Sequence, residues 1–354
     1  MYWLVGASCV AITGSYLQIA GLPVIQKAIL LALTLAAAIH FGINKRFLRP
    51  YLFFCLAAAG SLTFGGLSGT SQNLALWVGA FASMSIGLLV FAIRFPQKHL
   101  GRMIRALVGL PFISVAAGIL GLGFGLTPWV VEYTGSVRLQ GASIAPHLAM
   151  MCEVAVYRTC FCYSSTRANR YLVILAALMC MILLTGTRGA LVAAALPAGY
   201  LALRQVRLKA WLVTLPVVVV LAPVLSLGAS NVLLRFAQQQ EAELCNASGR
   251  LVRWEYFYER TPNHFYWGHG LGAVTEATKG EVAHNLTSFT VPHNEYLRFA
   301  YDLGVIGAAL FLIPLLWCLY RMRVRLGVRY VGLYLSVLVS FLLYSFVDNM
   351  FGTV

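Results

Sequence analysis

Residues 182–195 read ILLTGTRGALVAAA, two apolar runs joined by the turn TGTRGA with a single arginine in it. The flanks have the composition of membrane-spanning helices. A guanidinium stays ionised at any physiological pH, so Arg188 is costly in hydrocarbon and belongs at a membrane border or an aqueous cavity, facing something anionic. The stretch therefore sets the fold class: two spans that meet at a chemically unusual turn on one face of a bilayer.

The rest of the chain repeats the pattern. Of 354 residues, 60% are hydrophobic and only 10% charged, against roughly a quarter charged in ordinary globular proteins. Apolar runs near the length that crosses a bilayer, about 20 residues, stand at 2–20, 22–42, 51–68, 73–93, 106–124, 143–163, 171–184, 190–203, 210–228, 297–320 and 330–347. The expected architecture is an all-α polytopic membrane protein of about 11–12 transmembrane helices. The first run has no basic residues ahead of it and reads as a retained helix. The eight cysteines lie almost wholly in or beside spans, a distribution that implies neither a disulfide framework nor a metal site.

The formal net charge is +15, and its placement decides its meaning. Lys45, Arg46 and Arg49 follow the second span; Arg94, Lys98, Arg102 and Arg105 follow the fourth; Arg167 and Arg170 follow the sixth. Arg204, Arg207 and Lys209 follow the eighth, and Arg321, Arg323, Arg325 and Arg329 the tenth. These sixteen of the twenty-six basic residues fill every second connection with no acidic residue among them. That is the positive-inside pattern, which explains the charge without nucleic acid. The other connections then face outward: 125–142, the TGTRGA turn, and a polar segment at 229–295 holding seven of the eleven acidic residues. The expected domains are a bundle over 1–228, an outward-facing loop subdomain with short helices over 229–295, and C-terminal spans over 296–354.

Four constellations could carry chemistry. Around Arg188, Gly186, Gly189, Thr185 and Thr187 let backbone and hydroxyl groups approach an anion gripped by the guanidinium; position alone also fits an arginine snorkelling at a span end. In SGRLVRWEYFYER, a helix starting after Ser248 sets Arg250 and Arg253 one turn apart beside Trp254. Two forks suit a diphosphate and the aromatic face a sugar ring, while a solvated helix with ion pairs to Glu255 or Glu259 is the plainer alternative. In PHNEYLRFAYDLG, His293 stands where the chain re-enters the membrane. Histidine is the side chain best suited to act as general base toward a hydroxyl, although a lone histidine is often structural; Asn294 beside it is assigned to substrate binding. Arg138 and His147 flank the outer end of the sixth span and are assigned to the same outward cavity, or to an ordinary loop-to-helix entry.

The chain has no Walker A motif, Rossmann glycine pattern, HExxH or DxD pair, so neither a nucleotide cofactor nor a metal is called for. A second class of function, a secondary transporter or flippase for an anionic or lipid-linked substrate, would use Arg188, Glu153 and Asp302 as a path. Against it, the candidate residues gather at one face beside a large loop.

The order TGTRGA, GRLVRW, GHGLG, PHNEYLRFAYDLGVIG resembles the bacterial O-antigen ligase superfamily, over roughly Arg138 to Asp348. That family comprises lipopolysaccharide O-antigen ligases, Wzy-type polymerases and protein O-oligosaccharyltransferases. The resemblance implies a GT-C-like bundle in the bacterial inner membrane with its active site facing the periplasm. It implies a donor glycan on undecaprenyl pyrophosphate and an acceptor that is a lipid A core or another lipid-linked glycan, with membrane lipids around the site and no nucleic acid. Carried over by motif, Arg188 and Arg250 bind the pyrophosphate and His293 acts on the acceptor hydroxyl, all in one shared pocket.

Overall fold

A computed structural model describes residues 22–65, 71–124, 127–131, 137–205, 250–277 and 292–347. The spans expected at 2–20 and 210–228, the Ser248 cap and most of the polar segment lie outside the described residues. The helices are α1 Leu22–Phe41, α2 Lys45–Phe64, α3 Ser71–Ala92, α4 Gln97–Leu120, α5 Ala145–Thr166, α6 Arg170–Thr185, α7 Arg188–Gln205, α8 Arg250–Arg260, α9 Ala273–Ala277, α10 Glu295–Arg323 and α11 Val328–Val347. An antiparallel ribbon pairs β1 Trp129–Val131 with β2 Val137–Leu139. The protein is an all-α polytopic membrane protein. Lys45–Phe64, Leu74–Ala92, Gln97–Gly123, Glu295–Arg323 and Val328–Val347 are long and apolar enough to cross a membrane.

Several helices outrun their hydropathy. Apolar composition places the start of α2 near residue 51, yet the helix begins at Lys45, where the Asn44 side chain accepts the Arg46 N–H at 3.1 Å. Its first turn, with Lys45, Arg46 and Arg49, extends beyond the apolar stretch, where long cations reach water while the backbone satisfies itself.

The described residues fall into two compact units. One contains α1, α2, α3, α8, α9 and α10. Its core sets Phe54, Ala57, Ala58, Met84 and Leu88 against Phe299, Leu303, Phe311 and Leu315, with Leu271 inserted from the loop before α9. Apolar burial drives little between helices in lipid, so close contact of small residues must. Gly307 of α10 accordingly lies against Ala57 of α2. At one end the two basic connections meet: Asn44 N–H donates to Ala92 O at 2.8 Å and Arg94 N–H to Gly42 O at 3.0 Å. The opposite end of α2, about 30 Å away by helical rise, finishes at Gly65 beside Gly268. That end carries the loop 264–272.

The other unit contains α4, the ribbon, α5, α6, α7 and most of α11. Here α5 is the hub, packed by α4, α6 and α7. A buried polar chain crosses it: Tyr157 donates to Glu153 and meets Ser340 Oγ at 2.6 Å, and Ser340 donates to Ala193 O at 2.5 Å. Arg167, Arg170 and Arg329 share one end, where Arg329 donates to Ser164 O. Arg138, His147 and the TGTRGA turn share the other.

One backbone feature governs the first unit. Helix α10 is broken at Gly304 (φ 67°, ψ 179°), a conformation that L side chains rarely adopt. A Cβ there would lie 2.4 Å from the Tyr266 carbonyl carbon and oxygen. Gly304→Ala is therefore expected to lower the thermal midpoint, with about 1–3 kcal/mol lost to backbone strain alone. Gly79→Ala is the control: its methyl meets nothing within 4 Å and improves helix propensity. Equal midpoints for the two variants, read by thermal unfolding in detergent, would refute the assignment.

Candidate functional site

The TGTRGA turn is built by two helix ends. Thr185 closes α6, Gly186 takes the left-handed conformation (φ 63°) and returns its N–H to Leu183 O, and Arg188 opens α7. Only two residues separate the helices, so Arg188 is fixed at a helix start instead of hanging from a flexible loop. The turn is buttressed by Arg138, which is buried on β2. Its Nε donates to Thr185 O and its Nη2 to Thr187 Oγ1 at 3.0 Å. A cation on the last carbonyls of α6 also complements the negative end of that helix. The ribbon that carries Arg138 is itself seated on α4, with Ala142 N–H on Ser114 O at 2.8 Å. His147, half-buried, lies in the first turn of α5.

In the other unit, His293 and Asn294 precede and cap α10. Asn294 is its N-cap, with Oδ1 accepting the Leu297 N–H at 3.1 Å. Asn294, assigned from sequence to substrate binding, thus also has a structural duty. His293 has φ 52°, a conformation in which histidine is tolerated at a cost. It stands immediately ahead of the helix. Trp254 of α8 donates its indole N–H to Pro292 O at 2.8 Å and sets its ring edge to face on Phe346 at 5.2 Å. Arg250 and Arg253 lie in the first turn of α8; their side chains lie outside the described residues.

Beneath His293 is a charged network that the sequence reading did not find. Glu295 and Asp302 are fully buried, and Arg298 lies between them, 3.3 Å from Glu295 and 3.7 Å from Asp302. Asp302 further accepts the backbone N–H groups of Gly272 at 3.0 Å and Val274 at 2.9 Å. An acid read as part of a transport path is thus the anchor of the GHGLG loop. Its signal was present: an arginine four residues before an aspartate inside a span marks a helical ion pair.

The loop is tied to the broken helix throughout. His269 N–H donates to Tyr301 O at 2.8 Å, Gly270 N–H to Asp302 O at 3.0 Å, and Val305 N–H to Phe265 O at 2.8 Å. The His269 ring stacks on Tyr301 at 4.2 Å, its Nε2 lies 3.1 Å from Arg260 O, and His264 stands edge-on at 4.6 Å. Burial lowers the pKa of His269 below the usual histidine value and the neighbouring His264 adds to this, while the Arg260 carbonyl opposes it. Among the described residues no group of three or more His, Cys, Asp or Glu is placed to hold a metal ion.

Residues 172–312 match a family model described as O-antigen ligase. Over this segment the chain is similar to the O-antigen ligase family. The O-antigen ligase match takes in Arg188, Arg250, the GHGLG loop and His293, while Arg138 and His147 lie ahead of it. That similarity supports a glycan transferase of the ligase and polymerase kind. No curated protein matches the chain. Within the O-antigen ligase segment, TGTRGA lies in one unit and the other three motifs in the second.

The lowered pKa of His269 has a definite sign. The released loop takes up a proton near pH 6.5, whereas the docked loop resists it, so docking is fully stable above that pH and weakens as pH falls through it. Hydrogen exchange at residues 268–274, corrected for intrinsic rate, is expected to quicken between pH 7.5 and 5.5. In His269→Gln that quickening should be reduced; an unchanged pH response there would contradict the assignment.

Proposed function

We propose that this protein transfers a glycan from undecaprenyl pyrophosphate to an acceptor hydroxyl at the periplasmic face of the bacterial inner membrane. The acceptor is a lipid A core or a second lipid-linked glycan. The observation that carries the reading is His293: an imidazole at the head of a membrane helix, held in left-handed backbone, within a segment that matches the O-antigen ligase family.

In the reaction the acceptor oxygen forms the new bond to the anomeric carbon. The carbon–oxygen bond to the pyrophosphate breaks, and its electron pair leaves with the lipid diphosphate. The acceptor proton goes to His293. Negative charge grows on the departing diphosphate, and Arg188 and Arg250 stabilise it with a strength that rises toward the transition state. They take the part that a divalent ion plays in other glycan transferases, so no metal is required. Arg253 supports the diphosphate from the same helix face. Arg138 acts by fixing the turn that starts α7, and His147 lies at the same end of that unit.

The test is purified protein in lipid vesicles with a chelator, no nucleotide, the polyprenyl diphosphate glycan and each acceptor in turn. Transfer is expected with one of them. Arg188→Lys keeps the charge but loses the fork, and its turnover should fall by about 10²–10³. His293→Ala should bind donor normally and lose about 10²–10⁴ in transfer. Full turnover in either variant removes that residue's role. Intact donor carried across the vesicle without product would replace the reading with transport.

A further inference from the structure

The arrangement around His293 assigns Trp254 a role that its motif did not suggest, and the inference rests on the reading of His293 as the base. Left-handed backbone at a non-glycine residue persists only when the surroundings over-determine it. At His293 the clamp on each side is visible. After it, Asn294 is pinned as the helix cap by its bond to Leu297 N–H. Before it, the Pro292 carbonyl accepts the Trp254 indole N–H at 2.8 Å. Proline has a fixed φ, so a bond to its carbonyl sets the orientation of the peptide between Pro292 and His293.

We infer that Trp254 is a positioning residue: its indole N–H holds the peptide ahead of His293 and so sets the direction in which the imidazole meets the acceptor hydroxyl. The same bond joins two motifs. Trp254 lies one turn after Arg250 on α8, so the bond ties the helix that carries the cation to the turn that carries the base, beside the packing of Phe257 on Tyr301. The edge of the ring is engaged with Pro292 and Phe346, so the indole is committed to protein.

The test replaces Trp254 by its benzothienyl isostere, in which sulfur stands for the N–H and shape is kept, alongside Trp254→Phe. Each is measured in vesicles with polyprenyl diphosphate glycan and acceptor, in wild-type and His293→Ala backgrounds. The isostere should lower kcat by about tenfold or more, the effect of one lost hydrogen bond at the reacting centre. KM for the donor should stay within about twofold, since uniform binding is untouched. In the His293→Ala background it should cost nothing further, because the group it positions is gone. Wild-type kcat in the isostere, a raised KM at constant kcat, or an additional loss without His293 would each overturn the inference. An active His293→Ala protein would remove the base and this inference together. An inactive one beside a fully active isostere would remove the inference alone.

Discussion

The carboxylate of Asp302 is the constraint on which the candidate site depends in its unit. It is fully buried on a membrane helix and would be intolerable there without partners. The backbone N–H of Gly272 in the GHGLG loop, that of Val274 in α9 and the guanidinium of Arg298 supply them. The loop cannot leave without taking two hydrogen bonds from a buried carboxylate, each worth about 1.5–3 kcal/mol when the acceptor is charged. The glycines follow from the same requirement. Gly268 and Gly304 each lie so close to the other's backbone that a methyl group on either would fall within 2.6 Å of main-chain atoms. The loop is therefore pressed into the break in α10, and the turn bearing His293 sits on the short segment above that break.

The two units solve one problem in different ways. In one, an arginine becomes precise because two helix ends and a buttressing guanidinium leave the turn no freedom. In the other, a histidine becomes precise because its flanking peptides are both clamped. Each places an expensive group, a cation or a strained backbone, where the surrounding hydrogen bonds fix its geometry. Preorganisation of this kind lets a transferase stabilise charge on the leaving group without rearranging during the reaction.

Much of the architecture was legible because membrane helices announce themselves by composition. The runs at 22–42, 73–93, 171–184, 297–320 and 330–347 correspond to α1, α3, α6, α10 and α11 within a few residues at each end. The starts of α2 and α4 were misjudged because hydropathy measures lipid contact, whereas a helix continues for as long as its backbone hydrogen bonds do. Arg188 was visible because a cation between apolar runs is costly. The buttressing role of Arg138 was not, since it arises from pairing of strands with residues 47 and 49 positions away. Trp254 suggested a sugar platform by residue type, and only the distance to Pro292 gave its indole N–H a partner 38 residues distant. The left-handed turn at His293 left no mark in composition, because no glycine stands there.

The break at Gly304 also divides labour along α10. From Val305 to Arg323 the helix measures about 28 Å at 1.5 Å per residue, close to the roughly 30 Å hydrocarbon thickness of a bilayer. The loop grips both sides of the break, since Val305 and Ile306 of the spanning piece donate to the Phe265 and Tyr266 carbonyls as Asp302 accepts from Gly272 and Val274 above it. A kink bridged in this way holds the two pieces of α10 at one fixed angle, so the spanning piece and the turn at His293 move as one body.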